Sequence, residues 1–166
     1  MPDPKLGWVM LTESGGHAGN DLQHAAIRRW VAPHDGFVQI GGNLSHNAEQ
    51  GDGIRGRVIS SQSGELGHWV VHNGEVKTEF ERVAVHRGDT IDFLTDCYKT
   101  VEHDSFTWKA TITFVAEGAP KAITPSELWD TEKDFAQSLR LQQKPLTDWE
   151  KYAQVLLLAD ELVFVD

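Results

Sequence analysis

A chain of 166 residues with 40% apolar and 24% charged side chains can bury one domain's core and is too apolar to stay disordered. Acidic side chains number 25 against 15 basic ones, a formal charge of −10 with no basic stripe to offset it, which weighs against nucleic-acid binding. No window approaches the roughly 20 apolar residues that cross a bilayer, and the start, MPDPKLGW, lacks the basic-then-apolar layout of a signal peptide.

Up to about residue 118 the apolar pattern has a period of two. A short run from Trp8 to Leu11 comes first, followed by AAIRRWVA. GFVQIGGNL is bounded by Pro33 and Gly36, and GIRGRVIS follows the Gly51-Asp52-Gly53 turn. In HWVVHNGEVKTEF, Asn73-Gly74 predicts a hairpin. RVAVHRGDTIDFLTD reads as two strands, 82–86 and 90–95, broken by a Gly88-Asp89 turn. FTWKATITF is the clearest strand, with Phe106, Trp108, Ala110, Ile112 and Phe114 on one side and Thr107, Lys109, Thr111 and Thr113 on the other. Seven or eight such runs at this spacing predict an antiparallel two-sheet sandwich over residues 7–116. Ile91, Phe93, Phe106, Trp108, Ile112 and Phe114 should face inward. Helical crossovers, which a parallel sheet would need, are missing from this part.

After residue 119 the period becomes helical. Thr124-Pro125-Ser126-Glu127 predicts a short helix over 125–131. Thr147-Asp148-Trp149-Glu150 matches a capping box and predicts a second helix over 147–160, packed by Trp149, Tyr152, Leu156 and Leu157. The chain thus divides into a sandwich, 1–118, and a helical extension, 119–166, docked on the sandwich or on a partner.

Cys97 is the only cysteine, so an intrachain disulfide and a cysteine-based zinc site are both excluded. At the end of the IDFLTDCY run it is expected to be buried and inert. Eight histidines invite a metal, but His68 and His72 on one strand would stand roughly 13 Å apart, too far for one ion. There is no His-Glu-x-x-His, no Gly-x-Ser-x-Gly elbow and no phosphate-binding glycine loop.

The candidate ligand residues are polar side chains at turns and on one strand face. Asp52, between two glycines, can cap its own turn or present a carboxylate to a sugar hydroxyl or to calcium. Arg55 and Arg57 alternate with apolar neighbours and should share a strand face, where two guanidiniums could hold the carboxylates or sulfates of an acidic glycan. The plainer reading of that face is pairing with neighbouring acids. His46, His103 and Asp104 lie in or near loops and are the alternative place for a site. Trp69 and Tyr98 are the best candidates for exposed aromatic platforms, since Trp30 and Trp108 belong to the core and Trp129 and Trp149 should staple the helices to the sheet.

Two stretches carry a resemblance. AIRRWVAPHDGFVQIGGNLSH, with GDGIRGRVI, VAVHRGDTIDFLTD and HDSFTWKATI, resembles a jelly-roll, carbohydrate-binding-like β-sandwich found toward the C-terminus of large multidomain proteins of planctomycete-type bacteria. The ending LTDWEKYAQVLLLADELVFVD resembles the tail of the same proteins, which carry a c-type cytochrome domain and two domains of unknown function upstream. The resemblance implies an accessory domain of an exported, periplasmic or extracellular protein, and a chain that is a segment of something longer. The Cys-x-x-Cys-His haem motif of the upstream region is not in this sequence.

The expected function is therefore non-catalytic binding of a polysaccharide or oligosaccharide, with Arg55, Arg57, Trp69, Asp52, His46 and Asp104 as ligand residues. No cofactor is expected apart from the calcium alternative at Asp52, and other domains of the parent polypeptide are the expected protein partners. A structural or interaction domain without a small ligand is the alternative. A polysaccharide-active enzyme, with His46, Asp52, Arg55 and Asp104 at its centre, is the second alternative.

Overall fold

The computed structural model describes residues 7–115, 128–131 and 134, and the regular elements among them are strands. In chain order they are β1 (Met10–Leu11), β2 (Gly15–His17), β3 (Ala26–Val31), β4 (Gly36–His46), β5 (Ile54–Ser60) and β6 (Gly64–Val71). There follow β7 (Gly74–Lys77), β8 (Phe80–Val85), β9 (Thr90–Asp96), β10 (Ser105–Val115) and β11 (Leu128–Asp130). One sheet runs β1-β2-β10-β4-β7, with β8 also on β4 and β11 also on β10; the other runs β3-β9-β5-β6. Each pairing is antiparallel. The two-sheet, all-β expectation holds.

Alternation explains the layering. On β10, Phe106, Trp108, Ala110 and Ile112 are buried while Lys109 is exposed and Thr107 and Thr111 are half-buried, so the strand turns the expected face inward. Ile91 and Phe93 of β9 meet it from the other sheet, where the Phe93 and Trp108 rings pack edge to face at 5.4 Å. Each such large apolar side chain contributes about 1.5–3 kcal/mol on burial. Phe114 is only half-buried: it stacks on His34 and sits near the edge of the core beside Trp30 and Trp129.

Two expectations need correction. Asn73-Gly74 does turn the chain, with Asn73 at φ 44°, but it makes no hairpin: β6 pairs with β5 and β7 pairs with β4, so the turn is a corner between sheets. The hairpin lies one turn earlier, between β5 and β6. Residues 128–130, expected in a helix over 125–131, form β11 against residues 111–113 of β10. There the edge of β10 left open beyond β2 offers backbone partners, and Trp129 gains edge-to-face contacts with Trp30 and Phe114. That tertiary gain outweighs local helix propensity. Trp129 still staples its segment to the sheet. The helix over 147–160 and the boundary near 118 lie outside the described residues.

Two buried polar side chains lock the layers. On β3 the inward set is Ala26, Arg28 and Trp30, and the Arg28 guanidinium donates to the carbonyls of Thr12, Gly15 (2.7 Å) and Trp108 (3.3 Å). It thereby clips the β1–β2 turn to β10 and to the second sheet. Between β7 and β8 the chain dips at Thr78, whose hydroxyl accepts the Trp108 Nε1–H at 3.0 Å. Gly42 opposite must be glycine, because a Cβ there would run into that hydroxyl.

Candidate functional site

The six expected ligand residues do not form one surface. Arg55 and Arg57 do share a face of β5, as alternation requires, but both reach Oδ2 of Asp96 on the neighbouring β9, at 3.0 and 2.9 Å. Asp96 is fully buried. The two guanidiniums thus belong to a three-residue ion cluster and are not a free basic patch. Trp69 lies on the other side of the sheet: across β6 from Gly56, it turns inward and packs edge to face on Phe80 at 5.9 Å. Ring and arginines cannot touch the same sugar. Tyr98, the other expected platform, is half-buried with Lys99 over its ring.

His46, Asp52 and Asp104 belong to a second group, built from the turn before β5 and the loop from Cys97 to Asp104. His46 is fully buried; its Nδ1 accepts the Asn73 backbone N–H at 3.3 Å, which leaves Nε2 to donate to the His103 carbonyl at 2.8 Å. With both ring nitrogens engaged, it positions the loop and has no free lone pair for a metal or a substrate. Gly51 and Gly53 take φ of 82° and 88°, conformations that a side chain would strain, and set Asp52 under Thr100. Desolvation raises the Asp52 pKa, yet hydrogen bonds from the Thr100 hydroxyl and backbone N–H, helped by Lys99, outweigh it and hold the carboxyl below its ordinary value.

Asp104 is the opposite case. It is 0% exposed and neither carboxylate oxygen has a hydrogen-bond partner. Burial, then the charges of Asp52 and Asp96, push its pKa up to about 7. Cys97, next to it, has its thiol pKa raised by burial first and by Asp104 and Asp96 second, so it stays protonated. The inert reading of Cys97 fits.

On the surface of this loop lies a cleft of about 380 Å³ lined by Trp8, His17, Asn20, Val101, Glu102 and His103. Trp8 is 56% exposed, far more than any ring in the core. His17 is turned by a 2.6 Å hydrogen bond between Nδ1 and the Ala18 carbonyl. His103 has φ of 67° and Tyr98 of 55°, two left-handed non-glycine residues in one loop, a backbone that its surroundings must hold in place. The ties to His46 and Asp52 are what hold it. In the sequence Trp8 opens a strand run and does not stand out as a platform; its position just after Pro2 and Pro4, in the turn before β1, is the available signal.

A larger open groove, about 450 Å³, lies over Gly41 and Gly42 on the outer face of the first sheet. Its polar groups partly pair with each other, Asn43 with Glu75 at 2.8 Å and Lys77 with Glu79 at 3.8 Å, and among the described residues no aromatic ring lines it. Among the described residues no three His, Cys, Asp or Glu side chains converge as a metal cluster. Compared with protein-family models, with curated proteins and with solved structures, the chain matches none.

Proposed function

We propose that this domain is a non-catalytic carbohydrate-binding module whose ligand sits in the Trp8 cleft. The observation that carries the reading is an exposed indole ring at a concave site rimmed by an amide, a carboxylate and two imidazoles. An aromatic face stacks on the C–H face of a pyranose ring, and planar polar side chains at its rim take the hydroxyls, the usual division of labour in a small-molecule site. The chain also passes repeatedly between the sheets, from β2 to β3 to β4 to β5, and again from β8 to β9 to β10, which supports a jelly-roll arrangement.

Neutral sugars suit the cleft better than acidic ones. Glu102 lines it and, among the described residues, no lysine or arginine does, while the chain as a whole carries −10. The expectation of an acidic glycan on Arg55 and Arg57 is weakened because both guanidiniums are tied to Asp96. Titration calorimetry of the full chain against neutral and uronate or sulfated oligosaccharides tests this. Binding of a neutral sugar, insensitive to salt and lost in Trp8→Ala, is the expected result. No binding to any glycan, or binding that survives Trp8→Ala, overturns it.

A structural docking role has one observation in its favour. Ile27 and Val31 of β3 and Val70 of β6 are exposed on the outer face of the second sheet. Failure of every glycan together with loss of solubility on neither Ile27→Ser nor Val70→Ser would leave that reading as the better one.

A further inference from the structure

The sugar reading gives no role to the buried carboxylate beneath the cleft. Asp104 is fully enclosed with two oxygens lacking donors, and Asp52 has a third, its buried Oδ2. The two residues belong to segments in contact, since a Cβ on Gly51 would run into the Glu102 carbonyl oxygen. Asp96, by contrast, is fully used by Arg55, Arg57 and the Tyr98 backbone N–H at 3.0 Å. Three buried carboxylate oxygens without donors, on two neighbouring loops, are a costly arrangement unless something positive meets them.

We propose that Asp52 and Asp104 bind a calcium ion between the 51–53 turn and the 97–104 loop. The donors are hard oxygens, which suit calcium or magnesium and not zinc or copper. The nearby soft groups are out of play: the Cys97 side chain is buried in the core and both nitrogens of His46 are engaged. With only two carboxylates, and no third acidic or imidazole side chain converging among the described residues, the remaining ligands are backbone carbonyls and water. Calcium accepts such irregular oxygen shells, whereas magnesium demands a near-ideal octahedron.

The ion would also act on the surface above it. Asp104 follows Glu102 and His103 directly, so fixing its carboxylate fixes one wall of the Trp8 cleft. Metal binding itself, however, stands or falls without any sugar.

The test uses calcium alone. Full-length chain stripped with a chelator is titrated with calcium chloride by calorimetry and melted with and without the ion. Binding of one ion, with a Kd between about 10⁻⁶ and 10⁻³ M, a higher melting temperature and a much weaker response to magnesium are expected. Asp52→Asn and Asp104→Asn, close in shape to the native residues, should each lose about tenfold or more in affinity because each removes a ligand charge. Absence of heat and of any melting shift in the unsubstituted chain at about 10 mM calcium overturns the proposal. So does calcium affinity unchanged in Asp104→Asn. If a variant fails to fold, the titration of the unsubstituted chain still decides, and a glycan result of either kind bears only on the cleft.

Discussion

Arg57 reaches across from β5 to Asp96 on β9, Nη2 to Oδ2 at 2.9 Å, and the acid that it meets is entirely enclosed. Arg55 closes on the same oxygen from the next outward position of its strand. Asp96 owes its burial to these two cations, and its other oxygen caps the turn at Tyr98 that opens the cleft loop.

Replacing both arginines by alanine is therefore not a silent surface change. It leaves a buried carboxylate with one backbone donor, a loss of about 3–5 kcal/mol where a buried pair is broken from one side. Arg55→Ala alone should be milder, since Arg57 remains. Denaturant melts of the single and double variants check this, and a double variant within about 0.5 kcal/mol of the parent, the usual range for exposed positions, would refute it.

Cys97 offers a simpler test. It is buried, and burial with two neighbouring carboxylates keeps its thiol protonated. A thiol reagent at pH 8 should leave it unmodified in the native chain and modify it fully in denaturant. Rapid reaction in the native state would mean that the loop opens and exposes it.

The sandwich was legible because period-two alternation on β9 and β10 records which side chains face the core, and burial follows that record closely. Turn chemistry was legible too, but only locally. Asn73-Gly74 announces a reversal without saying that the next strand joins the other sheet, since that depends on the open edge of β4. The Thr-Pro-Ser-Glu start signal predicts a helix through Trp129, whereas the site that captures it is made by Phe114 and by Trp30, the latter about 100 residues away in sequence. The candidate site was the least legible. Alternation puts Arg55 and Arg57 on the right face, but the carboxylate that engages both, Asp96, comes from a strand about 40 residues on. Trp8 has no periodic context to mark it as exposed.

The most specific pH behaviour should come from Asp104. In the unfolded chain its carboxyl ionises near pH 4, as in model peptides, and in the fold it holds its proton to about 7. Between those values the folded state binds one more proton than the unfolded state, so this group's contribution falls as pH rises through the window and is constant above it. Three pK units correspond to a loss on the order of 4 kcal/mol. Asp52 and Asp96 are the charges that face it, and both add to the effect of burial. Other acids add their own dependence, so the quantity to measure is the difference between the parent chain and Asp104→Asn. In chelator the parent should lose stability relative to Asp104→Asn as pH goes from 5 to 8. With saturating calcium, the ion opposes the buried charge and the same comparison should show the parent holding its stability. A difference that stays flat with pH in chelator would mean that the Asp104 carboxylate is already compensated within the protein.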